Sequence, residues 1–180
     1  MTGGKASARR LPDKNECIAI LQDSGCSENV VRHCIVVSDL AVRIAKKCGA
    51  DVELVEAGSM LHDLGRCRSH GIDHAVIGIQ IAKERKLPEP VIRIIERHIG
   101  GGITKDEAKR LRLPEKDYLP KTLEEKIVSH ADKLISDTRR TTVKEAVGRF
   151  VREGFADSAL RILKIHEELS DLCRMNIDDI

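Results

Sequence analysis

Apolar residues recur at intervals of three and four along almost every patterned segment of this chain. That spacing places side chains on one face of an α-helix, and it constrains the fold more than any other feature. The clearest segment runs from Ser27, a typical N-cap residue, to Gly49, a typical C-terminal glycine. Its apolar face comprises Val30, Val31, Cys34, Val37, Leu40, Ala41, Ile44 and Ala45. No two segments alternate as paired β-strands do, so the sequence predicts an all-α protein.

Capping residues, glycines and prolines divide the rest of the chain into further helices. Two of these helices begin with a capping box, Thr104 with Glu107 and Thr122 with Glu125. The predicted helices cover residues 13–23, 27–49, 51–64, 73–86, 90–98, a segment from 104, then 123–137, 143–153 and 156–174.

The chain of 180 residues is long enough for one domain with one hydrophobic core. We predict a single-domain helical bundle over residues 13–180, behind a flexible N-terminal tail of residues 1–12. The motifs discussed below lie within residues 27–140, and residues 141–180 form the last helices.

Aliphatic residues must build the core, because the chain has one Tyr, two Phe and no Trp. Charged residues make up 33% of the chain and must cover long amphipathic helices. The net charge of +2 is close to balance, so the composition carries no strong signal for nucleic-acid or membrane binding. No apolar run approaches the length of a transmembrane helix, and we expect a cytoplasmic protein.

The six cysteines are scattered along the chain, and none forms a C-x-x-C pair. Most of them lie in apolar helical patterns, where a free cysteine behaves as a small hydrophobic residue. This distribution favours a reducing environment and argues against a disulfide framework and a zinc ribbon.

Several helices interrupt their apolar faces with histidine or aspartate. Burying such groups without partners is costly, so these interruptions need an explanation. Imidazole nitrogens and carboxylate oxygens suit divalent metals such as iron, manganese and zinc, and a helical bundle can direct them to one centre. The residues concerned are His33, the doublet His62–Asp63, His98 and Asp132, with His74 at the start of the fourth helix.

The order His33, His62–Asp63, Asp132 resembles the signature of the HD superfamily of metal-dependent phosphohydrolases. The segment 56–66 resembles the family's small, apolar approach to the doublet and the glycine after it. His74 with Gly78 resembles the His-x-x-x-Gly element of members with extra histidines, and His98 stands where those members place another. The resemblance covers roughly residues 27–140, and the chain is similar to small stand-alone HDIG-type proteins of archaea.

This resemblance implies a fold of the HD-domain type and a metal site. His33, His62, Asp63 and Asp132 would hold one divalent metal. His74 and His98 imply a second metal, with Asp63 bridging the two. Iron or manganese is favoured, while cobalt, nickel and zinc are compatible with the same ligands.

The family pattern also implies hydrolysis of a phosphate ester or anhydride by a metal-activated water. The substrate would be a small phosphorylated metabolite or nucleotide, including cyclic phosphates. Asp63 and Arg66 are the expected catalytic residues, and Arg66 offers a bidentate contact to phosphate.

Other residues are weaker candidates for binding the substrate. His70 is expected in a loop near the mouth of the site. Arg139 and Arg140 either gather substrate phosphate or only follow a helix C-terminus, where positive charge is favourable. His130 and His166 are interpreted as structural, and the glycines 100–102 as a flexible turn beside the site.

Two other functions stay open at this point. A di-iron oxygenase would use the same six ligands, although Arg66, Arg139 and Arg140 favour phosphate chemistry. A non-catalytic sensor domain that binds a metal or nucleotide is the other alternative. Apolar residues in the last two helices serve either the core or a homodimer face: Val147, Phe150, Val151, Phe155, Leu160 and Leu163.

Overall fold

A computed structural model describes residues 10–180, and over this range the prediction of an all-α fold is confirmed. The helices are α1 (Lys14–Asp23), α2 (Glu28–Cys48), α3 (Val52–Leu61), α4 (His74–Glu84), α5 (Glu89–Arg97), α6 (Lys105–Arg110), α7 (Leu123–Lys133), α8 (Val143–Arg152) and α9 (Ala156–Cys173). Short 3-10 helices cover Leu64–Cys67, Ile99–Gly101 and Ile177–Asp179. The described residues contain no helix long and apolar enough to cross a membrane.

The helices begin where the sequence places capping residues. Ser27 caps α2 through its side chain, and Gly49 ends that helix in the left-handed conformation. The capping boxes predicted at Thr104 and Thr122 are both present and open α6 and α7. Local side-chain chemistry therefore sets these boundaries.

The hydrophobic core lies on both sides of α3. One cluster joins α1, the first half of α2, α3, α4 and α5. The second joins the rest of α2 with α7 and α9, and Leu54 packs against both. The largest fully buried side chains are all Leu, Ile or Met, as the composition predicts. Each such burial contributes about 1.5–3 kcal/mol, so the two clusters hold the helices around the centre described below.

The helix predicted to reach residue 137 ends earlier, at Lys133. Asp137 adopts a φ of 57°, which cannot continue a right-handed helix, and the chain turns back on itself there. The turn joins two short antiparallel strands, β1 (Ile135–Ser136) and β2 (Arg139–Arg140). This hairpin is a departure from the sequence prediction and bears on the site.

One disulfide joins Cys48 to Cys173, at the ends of α2 and α9, across 125 residues of chain. The argument against disulfides therefore fails for this pair, and the other four cysteines are free. A distant pair has no local sequence signature, because only the packing of α2 against α9 brings the two Cα atoms to 4.7 Å.

Two further regions differ from expectation. The glycines 100–102 are buried against α9 and the segment before α7, with positive φ angles, so they are not a flexible turn at the site. Within the predicted tail, Leu11 packs against the first core cluster and Arg10 pairs with Glu16. Residues 1–9 of that tail lie outside the described residues.

Candidate metal centre

The six residues singled out from the sequence converge on one place. They come from different elements, because each lies at the end of a helix or on its inner face. His33 is on α2, the doublet follows α3, His74 begins α4, His98 follows α5, and Asp132 is near the end of α7. They form two groups in which potential ligand atoms lie within 4.8 Å of one another: His33, His62 and Asp132, and Asp63, His74 and His98.

Asp63 lies between the two groups and directs one carboxylate oxygen to each. Its Oδ2 is 3.8 Å from Nε2 of His33 and 3.7 Å from Nε2 of His62. Its Oδ1 is 3.2 Å from Nε2 of His74 and 3.5 Å from Nε2 of His98. This is the arrangement that a bridging carboxylate requires.

Backbone carbonyls set the protonation of all four imidazoles. Each Nδ1 lies 2.6–2.8 Å from a carbonyl oxygen, which can only accept a hydrogen bond. Each ring therefore carries its proton on Nδ1 and presents a lone pair at Nε2. The carbonyls belong to Asp137 for His33, Ser59 for His62, Gly71 for His74 and Ile95 for His98.

Nε2 of His33 lies 3.1 Å from Oδ1 of Asp132, but the other three Nε2 atoms lack the partners that a purely structural network would supply. Nε2 of His62 is buried and has no hydrogen-bond partner in the described protein. Nε2 of His74 and Nε2 of His98 are 2.9 Å apart, and with both protons on Nδ1 the two lone pairs face each other. A cation at each group would relieve both conflicts, and nitrogen with carboxylate oxygen fits a divalent transition metal.

The charges of these groups also suit ligation. Burial by itself raises the pKa of Asp63, but the surrounding histidines outweigh it and hold that pKa well below its usual range. For Asp132 burial is likewise outweighed, chiefly by Lys133, and its pKa is also low. Burial lowers the pKa of His98 to about 4. The carboxylates are therefore ionised and His98 is neutral, as ligands must be.

Two glycines bring the doublet close to α4. A Cβ on Gly65 would lie 1.9 Å from the carbonyl oxygen of His74 and 2.6 Å from the amide nitrogen of Gly78. A Cβ on Gly78 would lie 2.9 Å from Ile95. The glycine after the doublet and the glycine of the His-x-x-x-Gly element thus form one close backbone contact, which sets Asp63 beside His74.

A buried ion pair positions α5 against α7. Glu125 is 3% exposed, and both of its oxygens accept from Nη1 of Arg97 at 2.9 Å. Ser129 donates to the carbonyl of His98 at 3.1 Å. These contacts hold the helix end that carries His98 against the helix that carries Asp132.

A cleft of about 830 Å³ opens onto the two groups. Arg66 lines it, and its Nε donates to Oδ2 of Asp63 at 2.6 Å. His70 also lines it and is exposed, as expected for a residue at the mouth. No Phe or Tyr is among the lining residues in the described part of the chain, so no such ring is available to stack on a base.

The structure does not bring Arg139 and Arg140 to this cleft. Arg139 is exposed on β2, and Arg140 donates from Nη2 to the carbonyl of Ile177 at 2.9 Å. The reason is the early end of α7, since the hairpin turns both side chains away. Three cations that sequence reasoning did not propose line the cleft in their place: Arg32, Lys133 and Arg149.

Their sequence signals differ. Lys133 follows Asp132 directly and forms an ion pair with it, so adjacency to a predicted ligand could have identified it. Arg149 lies on α8, seventeen residues after Asp132. Nothing in its local pattern indicates a place at the site.

His130 and His166 lie apart from both groups, as the sequence interpretation expected. Both are buried, and Nε2 of His130 is 3.1 Å from Nδ1 of His166. Nε2 of His166 in turn lies 3.1 Å from Oδ1 of Asn176. The pair joins α7 to α9 and the C-terminal segment, which is a packing role.

Comparisons with known proteins find relatives over most or all of this chain. A tRNA (cytidine(56)-2'-O)-methyltransferase of Picrophilus torridus is 43% identical over 180 residues, which is all of this chain and 52% of that protein. Ribonuclease Y of Finegoldia magna is 32% identical over 127 residues, 69% of this chain and 21% of that enzyme. This chain therefore spans about half, or less, of these curated relatives.

A solved structure is similar in fold. The HD domain of the phosphodiesterase PgpH of L. monocytogenes, in complex with cyclic-di-AMP, has a TM-score of 0.56 at 20% identity and covers 87% of this chain and 92% of that one. The family model described as HD domain matches residues 30–137, which include all six residues of the two groups. The match covers more than half of the chain and supports the predicted metal-dependent phosphohydrolase. The chain belongs to the HD-domain family.

Proposed function

We propose that this protein is a metal-dependent phosphohydrolase that cleaves a phosphate ester or anhydride of a nucleotide-like or cyclic-phosphate substrate. The observation that carries the proposal is the position of Asp63 between two groups of Nε2 lone pairs. Such a carboxylate can offset the repulsion between two cations held close together.

In the reaction, the oxygen of a water forms a new bond to phosphorus while the bond to the leaving oxygen breaks. The proton released by the water goes to the leaving group. Two divalent metals, held by His33, His62 and Asp132 and by His74, His98 and Asp63, would supply Lewis-acid stabilisation of the phosphoryl oxygens.

The protein's own cations orient the substrate. Arg66 uses Nε to bond Asp63, which leaves its two Nη groups for phosphate oxygens in the cleft. Lys133 is held beside Asp132 and offers a further positive charge in the same cleft. These contacts favour phosphate chemistry over oxygen activation.

The comparisons support a phosphodiester of a nucleotide as the substrate class. Ribonuclease Y and a phosphodiesterase in complex with cyclic-di-AMP are, by name, proteins of phosphodiester chemistry. The proposal includes iron or manganese as the metal, a cytoplasmic location and homodimer formation. The homodimer face would be the exposed apolar residues of α8 and α9 and the turn between them, Val151, Phe155, Leu160 and Leu163.

The first experiment measures metal content and hydrolysis on the same preparation. We expect two transition-metal ions per chain, and cleavage of bis-p-nitrophenyl phosphate after loading with manganese or iron. Asp63→Asn should abolish cleavage, whereas Asp39→Asn, an exposed residue on α2, should not. A loaded wild-type protein that cleaves neither this ester, p-nitrophenyl phosphate nor a panel of nucleotides would rule the proposal out.

The metal count has its own matched variants. His74→Ala and His98→Ala should each lower the metal content from two ions to one, because each removes a ligand of the same group. His70→Ala should leave the content at two, because His70 lines the cleft without belonging to either group. Full occupancy in both His74→Ala and His98→Ala would contradict the two-metal centre.

A further inference from the structure

Five arginines of the described residues are half-buried, and Arg149 differs from the rest in having no acceptor. Among residues 10–180 no carboxylate, carbonyl or hydroxyl lies within hydrogen-bond reach of its guanidinium, whose carbon is 5.7 Å from the centre of the Phe150 ring. The other four each donate to an acceptor: Arg66 to Asp63, Arg97 to Glu125, Arg140 to the carbonyl of Ile177 and Arg161 to Glu107.

Arg149 lines the cleft of the metal centre, together with Asp137 and Thr138 at the tip of the hairpin. None of its nitrogens is among the buried side-chain atoms that lack a partner, so its guanidinium donors reach the water of the cleft. They are therefore free to bond a ligand in the same space that the substrate would enter.

Arg149 is nonetheless separate from the metal centre. Arg66 and Lys133 are tied to Asp63 and Asp132, so their charges serve the phosphate at the metals. Arg149 is more than 4 Å from every carboxylate of the described residues, and it comes from α8, which contributes no ligand to either group. A ligand group bound by Arg149 is a different group from the one at the metals.

We propose that Arg149 forms a second phosphate-binding position in the cleft, and that the substrate carries a phosphate beyond the one that is cleaved. A guanidinium matches phosphate oxygens in a bidentate fork, and phosphate is the anionic group that nucleotides repeat. A cleft of about 830 Å³ is far larger than one phosphate needs. The substrate class is thus a 5′-phosphorylated dinucleotide or oligonucleotide, an inference that rests on the proposed function for the position of the cleaved phosphate.

The test compares substrates that differ only in the second phosphate. Metal-loaded wild-type protein and Arg149→Gln are assayed on 5′-phosphorylated diadenylate (pApA), on unphosphorylated ApA and on bis-p-nitrophenyl phosphate. We expect Arg149→Gln to raise KM for pApA by about ten- to a hundredfold, with kcat nearly unchanged. KM for ApA and for bis-p-nitrophenyl phosphate should stay at the wild-type value.

Arg152→Gln is the matched control, because Arg152 is exposed on the same helix and does not line the cleft. A longer 5′-phosphorylated oligoadenylate shows which phosphate of the substrate Arg149 binds. If Arg149→Gln raises KM for pApA, Arg149 binds the phosphate next to the cleaved one. If it raises KM only for the oligoadenylate, Arg149 binds a phosphate farther along the strand. An equal effect of Arg149→Gln on all substrates, or no effect on any, would overturn the second phosphate position.

Failure of the proposed function would look different. If the loaded wild-type protein cleaves none of these substrates, the proposed function fails and KM values cannot be compared. Calorimetric titration of the same protein with pApA and ApA then tests Arg149 by binding. Tighter binding of pApA that Arg149→Gln removes would support the second phosphate position, and equal binding of pApA and ApA would refute it.

Discussion

At Gly65 the turn after the doublet passes so close to α4 that no side chain fits. The nearest atom to an added Cβ is the carbonyl oxygen of His74, which is backbone and cannot rotate away. The contact therefore positions two residues of the same ligand group, since Asp63 precedes Gly65 by two residues and His74 begins α4. A residue without a side chain thus determines the distance between the Asp63 carboxylate and His74.

Gly65→Ala should destabilise the protein by about 2–3 kcal/mol and lower its metal content, because the turn must move away from α4. Urea unfolding and metal analysis measure the two effects. Gly148→Ala is the control, because in the interior of α8 it meets only the flexible end of Arg152 and should be neutral or stabilising. Wild-type stability and metal content in Gly65→Ala would show that the close contact is not needed.

Among the secondary-structure elements, the β1–β2 hairpin orients the ring of His33. Its turn presents the carbonyl of Asp137 to Nδ1 of His33 at 2.7 Å, and so it fixes which nitrogen of His33 faces Asp132. The turn can do this only while Asp137 keeps its φ of 57°. A two-strand feature in a helical protein thus orients one of the predicted ligands.

Asp137→Val should weaken metal binding at the group of His33 and cost about 1–2 kcal/mol of stability, because a β-branched residue resists positive φ. Asp137→Gly is the matched variant: it also removes the carboxylate, but it accepts this backbone conformation. Metal titration of both variants separates backbone geometry from charge. Equal metal affinity in the two would mean that the conformation of the turn does not matter.

At the scale of the molecule, the ends of α2 and α9 are joined by the disulfide between Cys48 and Cys173. α2 carries His33, and α9 packs against α7, which carries Asp132. The crosslink therefore joins the helix that carries His33 to a helix that packs against the carrier of Asp132. It limits the freedom of the unfolded chain over most of its length.

Cys48→Ser should lower the free energy of unfolding by about 2–4 kcal/mol under oxidising conditions, because the long loop is no longer closed in the unfolded state. Guanidinium unfolding with and without dithiothreitol measures this. The reduced wild-type protein is the control and should match the variant. If wild-type stability does not respond to the reductant, the crosslink contributes nothing to it.

Much of this molecule can be predicted from local pattern. The ends of α2 follow from Ser27 and Gly49, because caps act on the neighbouring backbone alone. The ligand candidates stand out because polar side chains interrupt apolar faces, and that too is a local signal. The end of α7 at Lys133 was missed because nothing in the local pattern marks the hairpin that follows, whose turn has Asp137 at positive φ.

The sequence by itself determined the helices, the aliphatic core and the six residues that meet at the centre, since periodicity, capping and burial costs act over a few residues. The family resemblance already implied two groups with Asp63 between them, and those six residues lie in that arrangement in the tertiary structure. Only the tertiary structure decided that Arg149 replaces Arg139 and Arg140 in the cleft, and that Cys48 meets Cys173. These outcomes depend on which helix ends pack together, and contacts between residues far apart in the chain leave no periodic trace in the sequence.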